Sequence, residues 1–234
     1  MAEEYRPETM CISLGGSIIS RRNGINVSYI RKFSRLLKQY SGRYRLIITV
    51  GGGYTSRIYI QSSKQFIKNN AVLDDIAIAI TRINALIVKD LLSDLDVYPN
   101  IVTSLSELRM AASKSRIILM GGLLPGLSTD AVAVLASEVL GSKVIINVSR
   151  EAYLYDRHPS EKGAKRLERL DHGRLIAIAT AYDTREAGSN FLFDLMASKL
   201  AKRAGIEIRF VNDNINELRL ALENKGYSGS LVKG

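Results

Sequence analysis

Tryptophan is missing from this 234-residue chain, cysteine occurs once and histidine twice. The lone cysteine, Cys11, cannot close an internal disulfide, which suits a reducing compartment and points to a cytoplasmic protein. Its place in an apolar run marks it as a small buried hydrophobe rather than a nucleophile. His158 and His172 are too few and too isolated for a metal pair or a catalytic triad, and no Cys/His cluster suggests zinc. No apolar run approaches the roughly 20 residues that a membrane-crossing helix needs. Residues 1–9 are polar, carry three glutamates and read as a flexible lead rather than a signal peptide. Scattered aromatics offer no interleaved platform on which single-stranded bases could stack.

What is present favours one compact unit. With 46% of residues hydrophobic, the chain can bury a sizeable core without disulfide or metal. Its length fits one domain or two closely joined lobes, and a compositional shift near Asn147 divides it into lobes at 10–146 and 147–234. The formal net charge of +10, from 33 basic and 23 acidic residues, favours anionic ligands. The basic residues are dispersed rather than gathered into an arm, so net charge alone speaks for nucleic acid.

Short apolar runs alternate with segments of helical period, as expected of parallel strands joined by helices. Strands are expected at 10–14, 46–50, 97–101, 117–120, 144–148 and 206–211, with an edge strand at 230–232. Helices are expected from Asn26 onward and at 54–68, 73–92, 104–113, 129–140, 174–180, 191–204 and 214–222. On the long helix, Ile76, Ile80, Ile83, Leu86, Ile87 and Leu91 form the expected apolar face. Residues 149–165 read as a hairpin or a loop. These elements predict an α/β fold in which helices cover both faces of a mainly parallel sheet.

Three of the strands end in glycine: Gly15-Gly16, Gly51-Gly52-Gly53 and Gly121-Gly122. In open parallel sheets, ligands bind at the carboxyl ends of strands. Glycine there lets backbone N–H groups approach phosphate oxygens. None of the three turns is Gly-x-x-x-x-Gly-Lys-Ser/Thr or Gly-x-Gly-x-x-Gly, so the site is neither a P-loop nor a dinucleotide turn.

The strings ISLGGSII at 12–19, VGGGYTSR at 50–57 and MGGLLPGLSTDA at 120–131 resemble, in order and spacing, three signature loops of the amino acid kinase family. DDIAIAITRINA at 74–85 is similar to the acceptor-side helix of its archaeal-type uridylate kinase branch. Ala187-Gly188-Ser189 and DLMASKL at 194–200 resemble the family's C-terminal nucleotide motif. The resemblance spans nearly the whole chain from Met10.

It implies a three-layer αβα sandwich and transfer of phosphate from ATP to UMP with Mg²⁺, a step of pyrimidine nucleotide synthesis, in a cytoplasmic homo-oligomer, by resemblance a hexamer. It also implies an acceptor lobe at 10–146 and an ATP lobe at 147–234. Gly15, Gly16 and Ser17 would lie beside the transferred group, with Asp130 organising the cationic groups and Lys199 serving from the nucleotide lobe. Gly52, Gly53, Arg57, Ser128 and Thr129 would hold the acceptor phosphate, and Asp74 the ribose hydroxyls. Asn147, Tyr153 and Asp156 would line the ATP pocket. Each has a plainer reading as well: helix cap for Asp74, first-turn carboxylate for Asp130, surface cation for Arg57 and Lys199.

The chain departs from the family pattern on the donor side. Ser13 stands where many members carry lysine. Asn-Val-Asp-Gly-Val-Tyr becomes Asn147-Val-Ser-Arg-Glu-Ala-Tyr, Arg157 follows Asp156 in place of proline, and Ala77 replaces a glycine in the acceptor helix. These departures leave two further readings open. One is a weak or inactive nucleotide-binding module; the other is a kinase for a different acceptor, such as isopentenyl phosphate.

Overall fold

A computed structural model describes residues 7–157, 159, 161–182 and 193–234. His158 and the Ala187-Gly188-Ser189 motif lie outside the described residues.

The chain begins with β1 (Glu8–Leu14), a four-residue helix α1 (Gly16–Ile19) and the small hairpin β2 (Ser20–Arg21) and β3 (Gly24–Ile25). Next come α2 (Val27–Tyr40), β4 (Tyr44–Val50), α3 (Gly53–Ser63), α4 (Asn70–Asp90), α5 (Leu105–Lys114) and β5 (Ile117–Met120). The helix α6 (Thr129–Leu140) leads into β6 (Val144–Val148), then β7 (Leu154–Tyr155), β8 (Arg166–Leu167) and β9 (Arg169–Leu170). The chain closes with α7 (His172–Tyr182), α8 (Leu195–Ala204), β10 (Glu207–Val211), α9 (Ile215–Leu222) and β11 (Leu231–Val232).

Among the described residues, seven strands form one sheet in the order β5-β4-β1-β6-β10-β11-β9. The pairing is parallel except between β10 and β11. The strands β4, β5 and β6 are buried on both faces and read as runs rich in Ile, Val and Leu, as central parallel strands do. Alternation assigns the faces. Met10, Ile12 and Leu14 pack with α2, α4 and α9, whereas Cys11 faces the layer formed by α5, α6, α7 and α8. The expected three layers are present.

Cap residues set the helix starts. Asn26, Ser104, Ser128, Asp194 and Asn214 each accept a backbone N–H through the side chain at the first turn of the following helix.

Three expectations need correction. Residues 97–101 form no sheet strand; Val97 and Val102 make only single bridges to Ile117 and Met120. Pro99 between them has no N–H to give a ladder. The tail strand β11 is not an edge, because β9 pairs beyond it. On α4 the expected apolar face is partly turned outward, with Ile83 56% and Leu86 50% exposed. The inward face carries Thr81, Asn84, Ala85 and Val88 instead, because two glycine turns lie against it.

The 149–165 segment contains a short antiparallel pairing of β7 with β8. His172 is buried, with Nδ1 facing the Gly234 carbonyl and Nε2 the Ile206 carbonyl, each at 2.9 Å. It is a structural clamp on the C-terminal strands.

Candidate functional site

The parallel strands β1, β4, β5 and β6 end along one side of the sheet, where a cleft of about 660 Å³ opens. Its walls come from the glycine turns after β1, β4 and β5, the start of α6, the inward face of α4, and parts of the segment after β6, among them Ser149–Glu151 and Tyr153–Tyr155.

The turns after β1 and β4 pack backbone to backbone. A Cβ on Gly16 would collide with Gly53 N and with the Gly51 carbonyl group. Gly53 has φ +66°, a conformation that L side chains rarely adopt. These glycines are therefore required by turn-to-turn contact as well as by any ligand. The turn after β5 leans on α4, where a Cβ on Gly121 would lie 2.6 Å from Thr81 Oγ1.

The helix α4 holds both of its neighbouring turns. Asn84 Nδ2, on a residue only 2% exposed, donates to the carbonyls of Gly51 at 2.8 Å and Gly52 at 3.0 Å. Gly122 N donates to Thr81 Oγ1 at 2.7 Å, and Arg82 Nε donates to Gly122 O at 3.2 Å. Asp74, near the start of α4, accepts from Gly126 N at 2.8 Å. A hydroxyl in the middle of an apolar helix is the sequence signal for Thr81.

A polar row crosses the sheet beside α6. Ser13 on β1 is in register with Thr49 on β4 and Asn147 on β6. Ser13 Oγ donates to Asp130 Oδ1 at 2.6 Å, and Asn147 Nδ2 donates to the same oxygen at 2.8 Å. Burial pushes the Asp130 carboxyl up to about 7. The Asp194 charge adds to that rise, and the bonds from Ser13 and Asn147 oppose it. Asn147 Oδ1 and Thr49 Oγ1 are buried with no hydrogen-bond partner among the described residues. Such orphaned acceptors are costly unless a ligand or water serves them.

The sequence-predicted residues Gly15, Gly16, Ser17, Gly52, Gly53, Arg57, Asp74, Ser128, Thr129, Asp130, Asn147 and Tyr153 all line this one cleft. Ser128 is already committed, because Oγ caps α6 by accepting from Ala131 N and donates to Asp194, the cap of α8. Two predicted residues are not among its lining. Lys199 is exposed on α8. Asp156 Oδ1 accepts from Lys165 N at 2.9 Å and closes the β7–β8 hairpin, which lowers its pKa together with the Arg157 charge. Tyr153 lies under the Arg166 guanidinium, 4.8 Å from ring centroid to Cζ. Arg150, Glu151 and Arg157 enter the lining without having been singled out as site residues. Their signal was the departure from the family's Asp-Gly turn.

Residues 8–212 match the amino acid kinase family. A uridylate kinase of Methanospirillum hungatei is 33% identical over 226 residues, 96% of this chain and 94% of its own. One from Thermoplasma volcanium is 34% identical over 220 residues, covering 93% of this chain and 94% of its own. The crystal structure of uridylate kinase from Archaeoglobus fulgidus aligns at a TM-score of 0.83 with 26% identity, over 96% of this chain and 99% of its own. That of UMP kinase from Ureaplasma parvum, at 19% identity and a TM-score of 0.77 over 98% of this chain and 100% of its own, shares the fold.

Proposed function

The chain belongs to the amino acid kinase family, and from that premise we propose that it transfers the terminal phosphoryl group of ATP to UMP, giving ADP and UDP. The observation that carries this is the convergence of the glycine turns, Asp74 and Asp130 on one cleft, in a chain related over almost its full length to uridylate kinases. Phosphoryl transfer between two polyanions is mostly positioning and charge neutralisation. The backbone at Gly15, Gly16 and Ser17 holds the transferred group. Gly52, Gly53, Arg57 and the Thr129 hydroxyl receive the acceptor phosphate, and Arg57 can grip it with a two-pronged guanidinium. Asp74 offers its carboxylate to the ribose hydroxyls.

The residues from 10 to 146 carry the acceptor side and those from 147 to 234 the nucleotide side, with β6 at their junction. Asn147 and Tyr153 supply the donor pocket. Asp156 acts at one remove, holding the hairpin. Lys199 reaches the donor phosphates only if its side chain swings inward when nucleotide binds.

The Asp130 carboxylate and the orphaned Asn147 Oδ1 are hard oxygen donors of the kind Mg²⁺ accepts alongside waters and phosphate oxygens. They would hold the ion, which would supply positive charge to neutralise the donor phosphates.

Exposed Ile58 and Tyr59 on α3, with Ile83 and Leu86 on α4, are 41–56% accessible and support a homo-oligomer. A hexamer is the assembly that the resemblance implies. The lone reduced Cys11 agrees with a cytoplasmic setting.

UDP formation from ATP and UMP, run beside CMP and isopentenyl phosphate, tests the assignment. Turnover confined to a non-nucleotide acceptor would overturn it. UMP binding without turnover of any acceptor would favour the binding-module reading, which Ser13 and the altered Ser149–Arg157 segment motivate.

A further inference from the structure

We propose that Arg150 is a catalytic residue of this kinase, supplying at the terminal phosphate of ATP the positive charge that β1 lacks. The inference rests on the ATP-to-UMP reading above and deepens it.

The argument begins with position. Gly15 N donates to Val148 O at 2.8 Å, and a Cβ on Gly15 would lie 2.8 Å from that oxygen and 3.5 Å from Ser149 Cα. The end of β6 therefore abuts the first glycine turn, and residue 150 is the next one along. Its guanidinium extends back over that turn, with Nη2 donating to Ser17 O at 3.3 Å. The contact is long, and the head group is exposed at the cleft wall. An incoming phosphate can draw the guanidinium off a neutral carbonyl at little cost, because two opposite full charges attract more strongly than a charge and a dipole.

Charge supply points the same way. Among the described residues, the cations lining the cleft are Arg57, Arg150 and Arg157. Arg57 belongs to α3, behind the second glycine turn. Arg157 lies 3.6 Å from the Asp156 carboxylate, to which it is tethered. Ser13, at the end of β1, is neutral and spends its hydroxyl on Asp130. That leaves Arg150 as the cation seated on the first turn. Its planar fork can contact two phosphate oxygens at once.

No bond beyond the phosphoryl transfer itself is implied. The oxygen–phosphorus bond to the ADP leaving group breaks and one to the UMP phosphate oxygen forms, while Arg150 shields the negative oxygens without giving up a proton.

Arg150→Gln keeps the length and removes the charge. We expect kcat to fall by about 100-fold, the scale of losing one preorganised charge-stabilising donor. Binding of a non-hydrolysable ATP analogue should weaken about tenfold, with UMP affinity kept within about twofold of wild type. Arg150→Lys should recover part of kcat, and added guanidinium ion should partly rescue Arg150→Ala. Unchanged kcat in Arg150→Gln, increased kcat, or a loss confined to UMP affinity would each overturn the proposal. If the wild type binds the analogue but forms no UDP, the acceptor reading falls, and Arg150 stands or falls on whether Arg150→Gln weakens analogue binding. If the wild type does not bind the analogue, both fall.

Discussion

Ser13 on β1 donates a 2.6 Å hydrogen bond to Asp130 on α6, across 117 residues of sequence. The bond favours the ionised carboxylate, and burial works against it. Their balance places the Asp130 transition near neutrality, where a small change in either alters the charge of the cleft.

Ser13→Ala removes one of the two bonds that stabilise the carboxylate, so the Asp130 transition moves to higher pH. If the ionised form is the active one, the acid limb of the rate profile follows it upward. A pH series of kcat/KM for the variant against wild type measures the shift. A limb that stays in place would mean that another group sets it.

Asp130→Asn should stabilise the fold while impairing turnover. The folded-state pKa, about 7, is raised above the ordinary value of 3.8. Between these values the unfolded chain is ionised and the native one still protonated, so rising pH costs the native state stability. The penalty is absent below about pH 4 and complete above about pH 7. Asparagine carries none of it. The variant's Tm advantage should therefore be largest at pH 8 and should shrink toward zero at pH 4. An advantage that does not vary with pH would show that Asp130 ionisation is not its source.

Gly16→Ala tests the contact between the first two glycine turns. The added Cβ would overlap the backbone of Gly51 and Gly53, so one turn must move. Overpacking of this kind costs about 1–3 kcal/mol or more. Gly42→Ala, where nothing lies within 4 Å, is the control and should leave both Tm and activity near wild type. Equal effects of the two substitutions in thermal melts would contradict the packing account.

Asn84→Ala leaves the Gly51 and Gly52 carbonyls without their side-chain donor. Stability should fall by about 1–3 kcal/mol, the cost of unpairing buried polar groups. The acceptor turn should also loosen, raising KM for UMP more than KM for ATP. Steady-state kinetics with each substrate varied in turn would detect this, and equal changes in both constants would argue against a local effect.

Much of the fold was legible along the chain because its signals are local. The helix at 129–140 and the strands at 117–120 and 144–148 were read to the residue. Each strand is a short apolar run, and the helix starts at a side-chain cap, Ser128, and ends at Gly141, φ +71°. The outward turn of Ile83 and Leu86 was not legible. Their period is correct for a helix, but which face meets the sheet depends on how closely the Gly51 and Gly121 turns press on Thr81 and Asn84. That distance exists only in the assembled sandwich.

The candidate site divides in the same way. Sequence order alone placed Gly15 and Gly52 in strand-end turns, because a phosphate-binding turn needs its glycines in contiguous residues, and Asp130 in the first turn of the helix after such a turn. The Ser13–Asp130–Asn147 network, the bond that ties Ser128 to Asp194, and the absence of Asp156 and Lys199 from the cleft lining had no local signature. Each depends on which strand lies next to which. The register of β1 between β4 and β6, a product of packing over the whole sheet, brings Arg150 beside Gly15 and gives a residue that looked like a defect in a motif its place over the first turn.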